Sequence, residues 1–171
     1  EKWTQKHYVE MNLRDQRQTI GQLETLASGD APFFLQYGPL WPLNFVNDQE
    51  QNESLNGGHF AEKLQRLDGM LGEIFDKVDE LGIAENTLVV LMADNGLMHL
   101  YPSYTSGLNE LVYRGGKTDH LEGGVRVDAF VRWPGVIEAG SAAGDIVHVS
   151  DLYTTFARLG QAKQYIPTDR V

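Results

Sequence analysis

The sequence predicts an α/β domain in which a mainly parallel central sheet is covered by amphipathic helices. Residues 59–81 carry apolar side chains at spacings of three and four, which is the period of a helix. Residues 87–92 form a short apolar run of strand length, and long polar loops follow the apolar runs. A strand, a helix and a second strand in this order favour a parallel βαβ arrangement, because parallel neighbours need a crossover connection.

The totals of the sequence limit the possible functions. The chain has 171 residues, a formal net charge of −10 and no cysteine. Its length predicts one domain over residues 1–171 with a substantial core. The acidic balance disfavours nucleic-acid backbones and anionic membranes as partners, and no apolar run approaches the length of a membrane span. Disulfides and a cysteine nucleophile are excluded within these residues.

The N-terminal third predicts a helix, a strand and a loop. Residues 5–28 are polar and helix-forming, and a Gly-Asp-Ala-Pro stop signal follows them. Residues 33–37 are apolar and aromatic and predict a buried strand. Residues 38–58 are rich in glycine, proline and amides, so they predict a long loop. The apolar stripe expected on the first helix is Val9, Leu13, Ile20, Leu23 and Leu26.

The remaining elements alternate between apolar runs and loops. The helix over 59–81 should end at Gly82, a residue type common just past helix ends. Residues 97–124 predict a second long loop, and residues 125–133 a third extended segment. A short strand is expected at 146–149. Ser150 is then expected to cap a helix that runs to about residue 159.

Two oxygen-bearing residues follow the apolar run at 87–92. Asp94 and Asn95 stand where a buried strand would end, and ligands of open α/β sheets bind just past the carboxyl ends of the strands. Carboxylate and amide oxygens suit Ca²⁺ or Mg²⁺, although Ca²⁺ takes about six to eight oxygen ligands. Asp-Asn-Gly is also ordinary turn chemistry, so the pair alone indicates a turn as readily as a metal site.

Basic residues in the second loop could bind an anion. Lys117 follows two glycines, which allow the backbone to approach a ligand closely. Arg114 is a weaker candidate for the same contact, and His120 could protonate a leaving group or hold an anion. The Glu122-Gly123-Gly124 segment is expected to form a tight turn that shapes the cleft, with Glu122 capping backbone donors.

Taken in order, these motifs resemble the sulfatases of the alkaline phosphatase superfamily. The resemblance covers about residues 30–171, and the ordered series is far more specific than any single motif. The motifs are Pro32-Phe33-Phe34-Leu35, Leu81-Gly82, Glu85-Asn86-Thr87-Leu88-Val89-Val90, Ala93-Asp94-Asn95-Gly96, Arg114-Gly115-Gly116-Lys117, Glu122-Gly123-Gly124-Val125-Arg126-Val127, Arg132-Trp133-Pro134-Gly135 and Asp151-Leu152-Tyr153.

The resemblance implies a fold, a reaction and a cofactor. It implies a three-layer α/β sandwich that hydrolyses sulfate esters, whether small molecules or sulfated carbohydrates. Asp94 and Asn95 would be ligands of Ca²⁺ or Mg²⁺, and Lys117 would contact the sulfate group. The family nucleophile is a formylglycine made from Cys or Ser in a C/S-x-P/A-x-R motif. Bacterial members imply a periplasmic or secreted location.

This sequence departs from the family pattern at the nucleophile. It contains no C/S-x-P/A-x-R motif and no upstream Asp pair, so the metal site should be incomplete and formylglycine is expected only in an upstream segment. The family His after the Pro-Phe-Phe-Leu strand is absent. The family usually has Pro at the positions of Asp128 and Thr154 and Ser at that of Ala93. We therefore expect an interior fragment of a longer fold without turnover of its own.

Three functions remain open from the sequence. The chain could be part of a sulfuric ester hydrolase, or a non-catalytic module that binds anions or self-associates through exposed sheet edges. It could also be a relative of phosphodiesterases or phosphonate hydrolases, which share the metal-centred fold. Lys117 and the Glu122-Gly123-Gly124 pattern favour the sulfatase over that relative.

Overall fold

The computed structural model describes residues 5–40, 58–96 and 112–162. Most of the two predicted long loops lies outside these residues. In chain order the elements are helix α1 (Gln5–Ala27), helix α2 (Gly58–Glu80), a 3-10 turn (Ala84–Asn86), strand β1 (Val89–Met92), the one-turn helix α3 (Glu122–Val125), strand β2 (Ala129–Arg132) and helix α4 (Val149–Leu159).

Helices α1 and α2 pack against each other, which confirms both helices expected from the sequence. Tyr8 and Met70 form the buried apolar contact between them. A charged contact adds to it, because the Lys77 ammonium lies 3.4 Å from Glu24 and 2.7 Å from Glu80. The hydrogen bond and negative charge of Glu80, followed by those of Glu24, raise the pKa of Lys77.

The buried face of α1 differs from the predicted stripe. Leu23 is buried as expected, but Leu13 and Leu26 are exposed. Polar side chains take their place because they find partners there. The Gln16 amide donates to the Glu73 carboxylate at 2.7 Å, which removes most of the cost of burying it. The buried residues of α1 are Tyr8, Asn12, Gln16, Thr19 and Leu23.

The sheet within the described residues is a single antiparallel pair, and the parallel pairing expected between residues 33–37 and 87–92 is not formed among them. Strands β1 and β2 pair in the register Val89↔Arg132 to Met92↔Ala129. The ladder continues one step, since the Ala93 N–H donates to the Asp128 carbonyl at 3.4 Å. The chain therefore leaves β1 and enters β2 at the same end of the sheet, and such a connection needs no crossover helix.

The strands are also less buried than the sequence predicts. Val89 and Val90 of β1 are half-buried, whereas Leu91 and Met92 are exposed. On β2, Phe130 is 65% exposed. Within the described residues the fully buried hydrophobic side chains are few, so this part of the chain does not contain the substantial core that its length predicts. They are Tyr8, Leu23, Met70 and Val78.

Two other predicted strands are not formed. Exposure alternates along residues 33–37, but this segment has no ladder with the described strands, and Phe34 is exposed and contacts Phe156 at 5.5 Å between ring centroids. Residues 146–148 are coil, and α4 begins at Val149. Its N-cap is His148 rather than Ser150, because the His148 ring accepts from the Ser150 N–H.

Side-chain contacts join helix α2 and the 3-10 turn to the end of strand β2. The Arg132 guanidinium lies 2.7 Å from the Asp79 carboxylate, and the Trp133 indole N–H donates to the Glu85 carbonyl at 2.8 Å. Gly82 adopts φ +67°, as predicted for the residue that ends the helix. In the part of the chain that the structure describes, no helix is long and apolar enough to cross a membrane.

Candidate functional site

The predicted metal ligands follow the end of β1. Asp94 is exposed and Asn95 is half-buried. The Asn95 side-chain amide donates to the Gly96 carbonyl at 2.9 Å. This bond uses the amide nitrogen, so Oδ1 is the atom of Asn95 that can coordinate a cation. The two residues thus offer one carboxylate and one neutral oxygen donor just past the end of β1.

Backbone hydrogen bonds connect this edge to the loop that carries Lys117. The Gly96 N–H donates to the Gly124 carbonyl at 3.0 Å, and the Gly123 N–H donates to the Arg114 carbonyl at 2.8 Å. Helix α3 therefore lies between the end of β1 and the Arg114 segment and bonds to both. We call Gly96, Gly115, Gly116, Gly123 and Gly124 the glycine cluster.

Three glycines of the cluster have no room for a side chain. A Cβ on Gly96 would lie 1.8 Å from the Gly123 carbonyl oxygen, and a Cβ on Gly123 would lie 2.1 Å from that of Gly115. A Cβ on Gly124 would lie 2.0 Å from the carbonyl oxygen of Asp119. Each neighbour is main chain, which cannot turn aside as a flexible side chain can. These glycines are therefore required for close backbone packing.

Lys117 lies on a β-turn that rests on this cluster. The Asp119 N–H donates to the Gly116 carbonyl at 2.9 Å, which closes the turn with Lys117 and Thr118 at its centre. Thr118 has φ +83°, the value expected at the third position of a type II turn. Glycine or asparagine normally occupies that position, and a β-branched residue there is strained by about 1–3 kcal/mol.

A second contact ties α3 to the residue before Arg114. The Arg126 guanidinium lies 4.8 Å from the centre of the Tyr113 ring and 3.2 Å from the Glu122 carboxylate. Glu122 was expected to cap backbone donors, but its carboxylate instead pairs with Arg126 one turn later. Both partners of the ion pair are exposed, so we expect it to contribute little stability.

The predicted site residues differ in how directly they contact the glycine cluster. Asp94, Asn95 and Arg114 lie in or beside segments that contact the cluster, and Lys117 is half-buried on the turn above it. His120 is exposed, and its ring makes no hydrogen bond within the described ranges. The sequence did not point to Thr118 and Asp119. The Gly-Gly-x-x-Asp pattern was the available signal, because aspartate often closes such turns.

The donor set fits part of a hard-cation site. Asp94 and Asn95 supply oxygens of the kind that Ca²⁺ and Mg²⁺ prefer. Residues 5–40, 58–96 and 112–162 contain no group of three or more His, Cys, Asp or Glu side chains that could hold a metal ion. The described residues would therefore provide two ligands, and further oxygen donors would have to complete the coordination.

Comparison with known proteins identifies the family. The family model for Sulfatase matches residues 20–162, which is most of the chain. The chain belongs to the sulfatase family. The match includes the end of β1, the glycine cluster and Lys117.

Relatives in this family act on different sulfate esters according to their names. The chain is 37% identical to steryl-sulfatase of Rattus norvegicus over 147 residues, which cover 83% of this chain and 25% of the relative. It is 29% identical to N-acetylgalactosamine-6-sulfatase of Mus musculus over 161 residues, which cover 91% of this chain and 29% of the relative. The chain thus spans between a quarter and a third of the length of these relatives.

Solved structures share the fold. The structure of Ps i-CgsB in complex with k-i-k-neocarrahexaose superposes with a TM-score of 0.77 at 23% identity, over 93% of this chain and 35% of that one. The PsFucS1 sulfatase from Pseudoalteromonas sp. gives a TM-score of 0.56 at 33% identity, over 63% of this chain and 21% of that one. The arrangement of elements described above is therefore part of an alkaline phosphatase-like sulfatase fold.

Proposed function

We propose that this chain supplies the cation-binding edge and the sulfate-contacting lysine of a sulfuric ester hydrolase. The observation that carries the proposal is the pair of backbone hydrogen bonds from Gly96 to Gly124 and from Gly123 to Arg114. They connect the end of β1 and the start of the Lys117 loop to the same one-turn helix. Preorganised groups of this kind can stabilise charge without reorganising during a reaction.

The proposed metal role belongs to Asp94 and Asn95. They would hold Ca²⁺ or Mg²⁺ through the Asp94 carboxylate and the Asn95 Oδ1, together with donors beyond this pair. A bound divalent cation would neutralise the sulfate oxygens and polarise the S–O bond. The chain's own contribution is to keep the Asn95 oxygen oriented, since its amide nitrogen is held by the Gly96 carbonyl.

The proposed anion role belongs to Lys117. Its ammonium is a compact positive charge that suits a sulfate oxygen, and it is the basic residue on the turn that rests on the cluster. Arg114 contributes its carbonyl to the cluster, so its guanidinium is a secondary candidate for the same anion. His120 is a candidate proton donor to the leaving alcohol, and its exposure allows it to exchange protons with solvent.

Catalysis also needs a nucleophile, which this sequence does not contain. There is no cysteine and no Ser-x-Pro/Ala-x-Arg motif from which formylglycine could be made. We therefore expect the chain by itself to bind cation and sulfate weakly and to show no meaningful sulfatase turnover. Hydrolysis would require residues that supply the nucleophile and the remaining metal ligands, and with them a complete three-layer sandwich around a mainly parallel sheet.

Two classes of substrate are supported by the comparisons. The resemblance to steryl-sulfatase supports a sulfate ester of a small apolar alcohol. The shared fold with a protein solved in complex with a neocarrahexaose, and the relative named for N-acetylgalactosamine 6-sulfate, support a sulfated carbohydrate. Both share the sulfate group, which is the part of the substrate that Lys117 would contact.

One observation favours a second, non-catalytic function. Phe130 of β2 is 65% exposed and lies opposite Leu91 of β1, which is 36% exposed, and contiguous exposed apolar surface promotes association. A module that self-associates through this surface would be larger than 19.2 kDa in solution. Sedimentation at several protein concentrations measures this directly, and a mass of one chain at every concentration would exclude it.

The binding experiment tests the proposed function on the chain itself. Ca²⁺ is titrated by calorimetry into the native chain and into Asp94→Ala, with Asp68→Ala on the exposed face of α2 as the matched control. Loss of a carboxylate ligand should weaken Ca²⁺ binding by about tenfold or more, whereas the control should bind like the native chain. Equal Ca²⁺ affinity of all three proteins would contradict the metal role.

The anion role is tested in the presence of saturating Ca²⁺. Sulfate and phosphate are titrated at constant ionic strength into the native chain and Lys117→Ala, with the exposed Lys6→Ala as control. We expect Lys117→Ala alone to lose sulfate binding. Preference for phosphate over sulfate would favour the phosphodiesterase or phosphonate hydrolase relative. Cleavage of an aryl sulfate by the native chain, abolished by Lys117→Ala, would contradict the expected lack of turnover.

A further inference from the structure

The turn that carries Lys117 contains a residue in an unfavourable conformation. Thr118 has φ +83°, in the left-handed region that a β-branched residue rarely adopts. Glycine would adopt the same conformation without strain. Such a conformation persists only where the surrounding structure enforces it, and strained residues of this kind cluster at binding and catalytic sites. The contacts around Thr118 therefore show what enforces it.

Asp119 closes the turn through both its backbone N–H and its side-chain carboxylate. Its N–H donates to the Gly116 carbonyl at 2.9 Å, and its carboxylate Oδ2 accepts from the Gly116 N–H at 3.1 Å. The same Oδ2 lies over Gly115, where a Cβ would be only 3.0 Å away. The carboxylate thus adds a second bond between Gly116 and Asp119, the two residues that flank Lys117 and Thr118.

The carbonyl of Asp119 connects the turn to the rest of the site. It packs against Gly124, where a Cβ would lie 2.0 Å from the oxygen. Gly124 in turn accepts the hydrogen bond from Gly96, next to Asn95. One residue thus fixes both the shape of the Lys117 turn and its placement against the end of β1.

We propose that Asp119 is a positioning residue that keeps Thr118 in the left-handed conformation and thereby presents Lys117 to a sulfate oxygen. The proposal rests on the anion-binding role of Lys117 proposed above. A turn that is already ordered does not lose its conformational freedom when the anion binds, so it binds the anion more tightly than a loose turn carrying the same lysine.

Simple electrostatics predicts the opposite effect for removal of Asp119. A carboxylate two residues from Lys117 repels sulfate, so its loss would tighten sulfate binding if charge alone mattered. If the carboxylate instead orders the turn, its loss weakens sulfate binding. The sign of the change therefore separates the two explanations.

The experiment measures sulfate affinity with saturating Ca²⁺ in the full chain. The probe is sodium sulfate at constant ionic strength, followed by the NMR shift of the ¹³C-dimethylated Lys117 amine. Asp119→Ala should weaken sulfate binding about five- to tenfold. Asp119→Asn keeps an oxygen that can accept from the Gly116 N–H and should bind sulfate at least as tightly as the native chain. Circular dichroism checks that each variant is folded.

A rescue variant distinguishes positioning from a general loss of structure. Thr118→Gly in the Asp119→Ala background should restore most of the sulfate affinity, because glycine adopts φ +83° without support. Failure of this rescue would overturn the proposal, as would unchanged or tighter binding by Asp119→Ala. If Asp119→Ala does not fold, Asp119→Glu is measured instead. The longer glutamate side chain displaces the carboxylate from its hydrogen bond with the Gly116 N–H. Weaker binding by this variant supports the proposal, and unchanged binding overturns it.

Failure of the proposal is distinguishable from failure of the proposed function. If Lys117→Ala abolishes sulfate binding followed at the Asp119 amide, while Asp119→Ala leaves the sulfate affinity unchanged, Lys117 binds sulfate without help from Asp119. If the native chain binds no sulfate, or Lys117→Ala binds it normally when followed at the Asp119 amide, the anion role of Lys117 is wrong and the positioning proposal is wrong with it.

Discussion

The helix pair α1–α2 and the glycine cluster are stabilised in different ways. The helix pair is held by side chains, some of them polar, such as Gln16 of α1, which donates to Glu73 of α2. The glycine cluster is held by main chain packed directly on main chain. Side chains can adjust when a neighbour changes, whereas packed backbone cannot. We therefore expect the cluster to be far less tolerant of substitution than the helix pair, although it is much smaller.

The largest effect is expected from Gly96→Ala. The new Cβ would lie 1.8 Å from the Gly123 carbonyl oxygen, so α3 or the end of β1 must move. We expect a loss of about 3 kcal/mol or more in the free energy of unfolding, measured by urea denaturation. Hydrogen exchange should show the same loss locally, with faster exchange at the amide of residue 96.

The matched control lies in the helix pair. Gly69 is an exposed residue inside α2, and its Cβ would meet nothing within 4 Å. Gly69→Ala should raise the free energy of unfolding by about 0.5–1 kcal/mol, because alanine favours the helix. Opposite signs for the two glycines would support the comparison. Gly96→Ala as stable as the native chain would show that the cluster can rearrange.

An intermediate effect is expected from Asn12→Ala in the helix pair. Asn12 is only 1% exposed; it donates to the Tyr8 carbonyl at 2.9 Å and accepts from the Leu40 N–H at 3.0 Å. The Tyr8 hydroxyl also donates to the Leu40 carbonyl. Removing the amide leaves the Leu40 N–H without its acceptor and opens a gap at a buried position, which should cost about 1–3 kcal/mol in urea denaturation. The exposed Asn86→Ala is the control and should change stability by less than about 0.5 kcal/mol.

The smallest effect is expected from Tyr37→Phe, and it should stabilise the chain. The Tyr37 hydroxyl is buried without a hydrogen-bond partner among the described residues. Burial, and then the negative charge of Asp15, raise the pKa of Tyr37 above its ordinary value of 10.0. Removing the hydroxyl should raise the free energy of unfolding by about 1 kcal/mol, whereas the more exposed Tyr113→Phe should leave it unchanged.

The raised pKa also predicts a pH dependence. The folded chain holds the Tyr37 proton more tightly than the unfolded chain does. The free energy of unfolding therefore keeps its full value below about pH 10, the ordinary pKa of tyrosine, and falls as the pH rises through the raised pKa of the folded state. The raised pKa of Lys77 acts in the same direction. Thermal unfolding between pH 8 and 11 should show the decline, and Tyr37→Phe should make it shallower. An equal slope in the variant would contradict the role of Tyr37.

The sequence predicted the local features of the molecule well. The limits of α2 and the left-handed Gly82 follow from periodicity and from helix-ending chemistry, which depend on neighbouring residues alone. The family resemblance implies that Asp94, Asn95 and Lys117 belong to one site. Their roles stay predictions until the binding experiments are done.

Features that depend on distant residues were predicted less well. The buried face of α1 was misplaced because Gln16 is satisfied by Glu73, which is 57 positions away. The pairing of β1 with β2 was not predicted, because nothing within β1 specifies which strand will lie beside it. The role proposed for Asp119 was not predicted, because it depends on the φ of Thr118, which sequence pattern does not give.

The hydrogen bond on the Gly96 N–H also affects the chemical lifetime of the neighbouring side chain. In an Asn-Gly sequence the backbone nitrogen of the glycine can attack the asparagine Cγ, release ammonia and leave a succinimide that opens to aspartate or isoaspartate. Here that nitrogen donates to the Gly124 carbonyl, and the Asn95 amide is held by the Gly96 carbonyl. The attack requires both bonds to open, so we expect the glycine cluster to slow the conversion of Asn95 into a charged residue.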